Sequence, residues 1–184
     1  MKLSHVLAST SLFLSRTHAI GVGLPTTREA IIDTLLTFYR SLDLKSESLL
    51  RSTTTSDLVF DGTAFASIGV GAPEPLVGQD VIAPALIASL PMTTSHNLAN
   101  LHVSFTSDGK ANVTAYVLAY HYKKIAQPAE SSRNVYLMSN WVEGVARREG
   151  GVWKLERVKL EPFFQSGNAE IMGLEGGEGD EAVA

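Results

Sequence analysis

Two of the five histidines fall where a hairpin would bring them together. His96 opens the run His96–Phe105, and His121 stands near the end of Ala111–Tyr122, with Thr106-Ser107-Asp108-Gly109-Lys110 between the two runs. An Asp-Gly pair between two apolar, alternating segments is a strong hairpin signal. A two-residue turn at Asp108-Gly109 places His96 directly opposite His121, and opposed side chains share one face with Cβ atoms about 4.5–5.5 Å apart. The rest of that face carries Leu98, Asn100, His102 and Ser104 against Ala119, Val117, Ala115 and Val113. A longer turn with a bulge slips this register by one residue.

Two imidazoles in an apolar pocket can exchange protons with a bound molecule near neutral pH, because their ordinary pKa is about 6.5. The competing reading is that each ring only satisfies a hydrogen bond near a strand end. Other chemistries have less support. There is no cysteine, no His-Glu-x-x-His helix, and no carboxylate within two residues of His96 or His121, so no metal site is expected. The Gly-x-Ser-x-Gly elbow of a serine nucleophile is absent. Gly69 and Gly71 lack the strand-helix context and third glycine of a nucleotide loop. Trp153 and Leu155 read as strand packing.

The elements that must hold these rings are legible in outline. Thr26 to Leu42 reads as a first helix, with Thr26 and Glu29 at capping-box spacing and Ile31, Ile32, Leu35, Leu36 and Tyr39 at helical intervals. A short second helix carries Leu44, Leu49 and Leu50, and Leu58-Val59-Phe60 forms a strand closed by Asp61-Gly62. Gly78 to Leu90 is a third helix, stopped by Pro91. A second hairpin joins Val135–Arg148 to Val152–Leu160 through Glu149-Gly150-Gly151. Helices followed by antiparallel strands predict an α+β fold: a curved antiparallel sheet wrapped around the N-terminal helices, leaving a pocket between the layers.

At 184 residues the chain makes one domain, expected over residues 20–164. A net charge of −4, with no basic cluster, argues against nucleic acid as a partner. Residues 1–19 combine Lys2, a short apolar run and Ala19, so they are either a secretory signal or an N-terminal helix; the run is too short to span a bilayer. Location, secreted or cytoplasmic, stays open on that point, and the sequon at Asn112 matters only in the secreted case. The acidic, glycine-rich residues 165–184 are expected to form a flexible tail.

Several pieces resemble scytalone dehydratase and its relatives, which share the cone-shaped, cystatin-like half barrel of nuclear-transport-factor-like proteins with the SnoaL-like polyketide cyclases. They are Leu42-Asp43-Leu44-Lys45, Leu58-Val59-Phe60-Asp61, Thr94-Ser95-His96, Leu118-Ala119-Tyr120-His121-Tyr122-Lys123 and Gly151-Val152-Trp153-Lys154-Leu155. They run in family order over about residues 26–162. The resemblance implies that His96 and His121 are the two pocket histidines and that Asp43 orients one of them. It implies that His121 is general base or acid with His96 its complement. It also places Ser139 and Trp141 at substrate-holding positions, with Asn140 as the polar alternative after a one-residue gap. Two family tyrosines that hold a water correspond to Leu42 and Gly62, and Tyr39 or Tyr120 are the candidates to replace them. The implied function is a cofactor-free lyase, isomerase or cyclase acting on a small cyclic or polyketide-derived secondary metabolite. The alternatives are a non-catalytic ligand-binding or dimerisation module, or an epoxide hydrolase using Asp43 or Asp61 with Arg40. The expected partner is a small-molecule substrate, and whether the chain forms a homo-oligomer is left open.

Overall fold

The computed structural model describes residues 26–123 and 134–174. Helix α1 spans Thr27–Asp43 and is closed at its N-terminus by the expected capping box. The Thr26 amide donates to Glu29 Oε2 at 2.6 Å, and the Glu29 amide donates back to Thr26 Oγ1 at 3.3 Å. Helix α2 spans Glu47–Thr53, strand β1 Thr54–Asp61, the two-residue strand β2 Leu76–Val77, and helix α3 Gln79–Ser89. Strands β3 (Thr93–Phe105), β4 (Ala111–Tyr122), β5 (Val135–Glu149) and β6 (Val152–Gly167) complete a six-stranded sheet in the order β2-β1-β6-β5-β4-β3. None of the described helices is long and apolar enough to cross a membrane.

The α+β class and the helix-filled curved sheet match the sequence expectation, with one correction. The sheet is mixed, because β1 runs parallel to β6. The chain leaves β1, passes through α3 and the long hairpins, and returns beside it in the same direction. A second correction concerns the C-terminal end. The strand expected to stop at Leu160 continues to Gly167, and a 3₁₀ helix follows at Ala169–Met172. Ala169, Ile171, Met172 and Leu174 pack against Ala119, Tyr136 and Met138 of the sheet. Apolar side chains spaced for a helical turn found a face to cover there, which a composition argument overlooks. Residues 1–25, with the signal-like segment, and 175–184 of the expected tail lie outside the described residues.

The core lies between the concave face and α1 and α3. Ile31, Leu35, Phe38, Leu50, Leu58, Ile82, Val113, Val117, Val142 and Leu155 are all fully buried. Each such side chain contributes about 1.5–3 kcal/mol of apolar transfer, before entropy is set against it. Gly144 sits on this concave face, where a Cβ would come within 2.9 Å of Val113 Cγ1 and 3.2 Å of Leu155 Cδ2. Its bare backbone lets neighbouring strands curve around the helices.

Candidate functional site

The register of the β3–β4 hairpin decides where the histidines go. The loop contains three residues, closed by the Thr106 amide donating to Lys110 O at 2.9 Å, with Gly109 at φ 78°. Phe105 therefore faces Ala111, one residue out of the two-residue-turn register. That single slip would send His96 and His121 to opposite faces. A bulge between Ala99 and His102 then shifts the register once more. Asn100 supplies it, at φ 53°, a left-handed conformation that asparagine tolerates better than most residues. The two slips restore the face: His96 pairs with Ala119 and Thr94 with His121.

The imidazoles are thus diagonal neighbours rather than directly opposed, with ring centroids 6.2 Å apart and planes at 84°. Asn100 is exposed as the bulge residue and does not line the pocket. His102 and Ser104 face outward, and Val103 occupies the inward position opposite Val113.

Asp43, the last residue of α1, binds His96 at two points. Nδ1 of His96 lies 2.6 Å from Oδ1, and the His96 amide donates to Oδ2 at 3.0 Å. A carboxylate only accepts, so Nδ1 carries a hydrogen, and in the neutral form of the ring Nε2 is bare. Thr94 Oγ1 also donates to Asp43 Oδ1, at 2.8 Å, and itself accepts from Lys45 Nζ at 3.0 Å. Burial alone would raise the Asp43 pKa. The hydrogen bonds from the His96 ring and amide, the charge on His96 and the Thr94 bond outweigh it, so the carboxyl titrates below its usual range.

His121 is buried, and its Nδ1 lies 3.3 Å from Tyr136 O. A carbonyl also only accepts, which again leaves Nε2 bare. Burial, then the positive charge available to His96, lowers the His121 pKa to about 4, so this ring is neutral at physiological pH.

Both rings open on a cavity of about 570 Å³ between the sheet, α1 and α3. Its walls are mostly apolar, among them Phe38, Phe60, Phe65, Met138 and Leu160. Tyr39 and Asn140 also line it, and the Tyr39 ring lies 5.2 Å from His96. Tyr39 Oη and Asn140 Oδ1 are buried without a hydrogen-bond partner among the described residues. Burial pushes the Tyr39 phenol pKa strongly up, so it stays a donor.

Of the sequence-predicted site residues, Tyr39, His96, His121 and Asn140 come together on this cavity, with Asp43 behind His96. Ser139 and Trp141 do not, because β5 alternates and they point to the convex face between inward-facing Met138, Asn140 and Val142. Trp141 packs edge-to-face on Tyr116 at 4.9 Å and donates to Glu143. Tyr120 stacks on Tyr122 on that same outer face, so only Tyr39 reaches the pocket. Asp61 binds Thr63 and Arg157, and Arg40 is exposed, so no aspartate–arginine pair enters the cavity from the described residues. Thr94 and Lys45 were not among the sequence candidates. Their signal was present: Thr94 shares a strand face with His96, two residues before it, and Lys45 lies two residues past Asp43.

Comparison with known proteins places the chain in a family. Residues 26–159 match the family model of a SnoaL-like domain. The terrestric acid biosynthesis cluster protein E of Penicillium crustosum is 27% identical over 151 residues, covering 79% of this chain and 89% of that protein. Among solved structures, the Kfla4162 protein of Kribbella flavida superposes with a TM-score of 0.67 at 25% identity, covering 79% of this chain and 96% of that one. A scytalone dehydratase-like protein of Novosphingobium aromaticivorans gives 0.60 at 21% identity, covering 75% and 85%.

Proposed function

Because the chain belongs to the SnoaL-like domain family, we propose that it is a cofactor-free lyase, isomerase or cyclase acting on a small cyclic or polyketide-derived metabolite. The observation that carries this reading is the Asp43–His96 pair presenting a bare Nε2 beside the neutral His121 in one apolar cavity. The kinship with a biosynthesis cluster protein supports a small-molecule substrate.

In this mechanism His96 Nε2 removes a proton from the carbon next to a carbonyl. The imidazolium that forms lies against the Asp43 carboxylate, which compensates its charge where water is scarce. The proton is then returned, to another carbon in an isomerisation or to a departing hydroxyl in a loss of water. His121 is the complement, its bare Nε2 accepting from a substrate hydroxyl and holding the reacting group in place. The sequence leaves open which imidazole Asp43 orients and which of the two is the base; the bonds from His96 to Asp43 support that ring as the base.

The test is deuterium incorporation from heavy water into an indanone bearing a hydroxyl beta to its carbonyl, with elimination followed in the same sample. Wild-type protein is expected to accelerate both, and His96→Ala to lose at least about a hundredfold, the lower range for removing a positioned acid or base. His121→Ala should also lose most of the rate while keeping its circular dichroism. Full activity in His96→Ala would remove the mechanism.

A further inference from the structure

We infer that Lys45 is a positioning residue for the proton transfer: from the turn that ends α1, its ammonium fixes the Thr94 hydroxyl as a donor to Asp43 and sets a positive charge close to the two imidazoles. This deepens the function proposed above and rests on it for the identity of His96 as the base. The first observation is the direction of a hydrogen-bond chain. Lys45 Nζ lies 3.0 Å from Thr94 Oγ1, and Thr94 Oγ1 lies 2.8 Å from Asp43 Oδ1, which also takes the His96 Nδ1–H at 2.6 Å. An ammonium only donates and a carboxylate only accepts, so the one hydrogen of the threonine hydroxyl points at Asp43. Each donor polarises the next, and the chain ends on the carboxylate that holds the base.

The second observation is the backbone conformation from which that lysine reaches. Helix α1 ends in a Schellman turn, with the Ser46 amide donating to Ser41 O at 2.9 Å and the Lys45 amide to Leu42 O at 3.3 Å. The residue between those two bonds is left-handed, a conformation that favours glycine. Here it is a lysine at φ 54°; the other non-glycine residue with positive φ among the described residues is Asn100, of a type that tolerates it. A lysine in this conformation costs about 1 kcal/mol relative to glycine. Its side chain extends to Thr94, the residue that pairs with His121 on the neighbouring strand. A strained residue whose polar end meets the site points to a role for that side chain in the site.

The charges around the rings give the lysine its second effect. Asp43 and the ring of Tyr39 face His96 from α1, and Tyr136 of β5 lies against His121. The Asp43 carboxylate draws protons toward the imidazoles, and the Lys45 ammonium opposes them. At His121 burial and the neighbouring His96 do most to lower the pKa to about 4, Lys45 adds to that, and Asp43 and the Tyr136 carbonyl act against it. Partial burial lowers the Lys45 pKa while the charge of Asp43 acts to raise it, so ammonium and carboxylate favour each other's charged forms. The lysine thus keeps the imidazoles from filling with protons from water before a substrate arrives. The aspartate steadies the imidazolium once the substrate has delivered its proton.

Two substitutions separate this role from a structural one. Lys45→Gly suits the left-handed turn and should melt at or slightly above wild type. Its rate constant in the deuterium exchange should nevertheless fall about tenfold with KM little changed, and the acid limb of its pH profile should move upward. Lys45→Arg restores a cation and should recover most of that rate. NMR of the ring nitrogens gives a readout that needs no turnover. His121, at about 4 in wild type, should take its proton at a higher pH in Lys45→Gly and return toward the wild-type value in Lys45→Arg. A Lys45→Gly protein with wild-type rate, pH profile and His121 titration overturns the proposal. So does a rate loss that only tracks a lower melting temperature, which would make the lysine a structural support. These outcomes are separate from the function proposed above: if wild type exchanges no deuterium, that function fails while the His121 titration still decides on Lys45, and an unaltered Lys45→Gly leaves the His96 dependence standing.

Discussion

At the scale of single residues, Asp43 is the group on which the site turns. Its two oxygens accept from the ring and amide of His96 and from Thr94, so its position and that of the base are set together. Thr94 is the part of this arrangement that can be removed without touching a reacting atom. Thr94→Val keeps the shape of the side chain but deletes its bond to Asp43 and strands Lys45 Nζ. The loss of one hydrogen bond to a charged group is worth roughly 1.5–3 kcal/mol where no compensation occurs. We therefore expect the rate constant of the exchange reaction to fall by about tenfold with KM little changed, and the acid limb of its pH profile to move upward. An unaltered pH profile would reduce Thr94 to a packing role. Of the residues at this scale, the two histidines and Asp43 were legible from hairpin spacing and family resemblance. Tyr39 was legible only as one of two candidates, because deciding between it and Tyr120 required knowing which strand face Tyr120 occupies.

At the scale of the element, the hairpin explains both what the sequence reading captured and what it missed. Asp108-Gly109 correctly marks the turn, but Gly109 at φ 78° closes a three-residue loop. Turn length is set by local backbone geometry that the Asp-Gly pair alone leaves open. Strict alternation along the strand places Asn100 inward; the bulge it forms breaks that alternation. Two register errors of one residue cancelled, so the shared face of His96 and His121 was anticipated through a register the protein does not have. Substitutions at Asn100 test this. Asn100→Gly adopts positive φ without strain and should leave stability and activity near wild type. Asn100→Val places a β-branched side chain at φ 53° and should cost about 1–3 kcal/mol. Activity should fall further than that stability loss explains, because relaxing the bulge turns one imidazole away from the cavity. Chemical denaturation and the exchange rate, measured on both variants, read the two effects separately.

At the scale of the whole molecule, the α+β class and the helix-filled sheet follow from the order of periodic segments, helices first and paired strands after. The parallel pairing of β1 with β6 and the 3₁₀ helix beyond Gly167 did not follow. Each depends on contacts between chain segments far apart in sequence, which periodicity does not report. The same assembly makes stability depend on pH. His121 has its ordinary pKa of 6.5 when the chain unfolds and about 4 when burial and the neighbouring His96 act on it. Above 6.5 both states are neutral and this ring contributes no pH dependence. Below 6.5 the unfolded chain takes up a proton that the folded chain refuses, so stability falls as pH drops toward 4, by about 3 kcal/mol in all.

A titration of the histidine ring nitrogens by NMR, with melting followed across the same buffers, tests most directly whether both imidazoles share one dry cavity. The account predicts that His121 stays neutral with its hydrogen on Nδ1 until pH nears 4, that His96 also carries its hydrogen on Nδ1, and that the melting temperature declines between 6.5 and 4. A His121 that gains its second proton near 6.5 with no loss of stability would place that ring in bulk water and contradict the account.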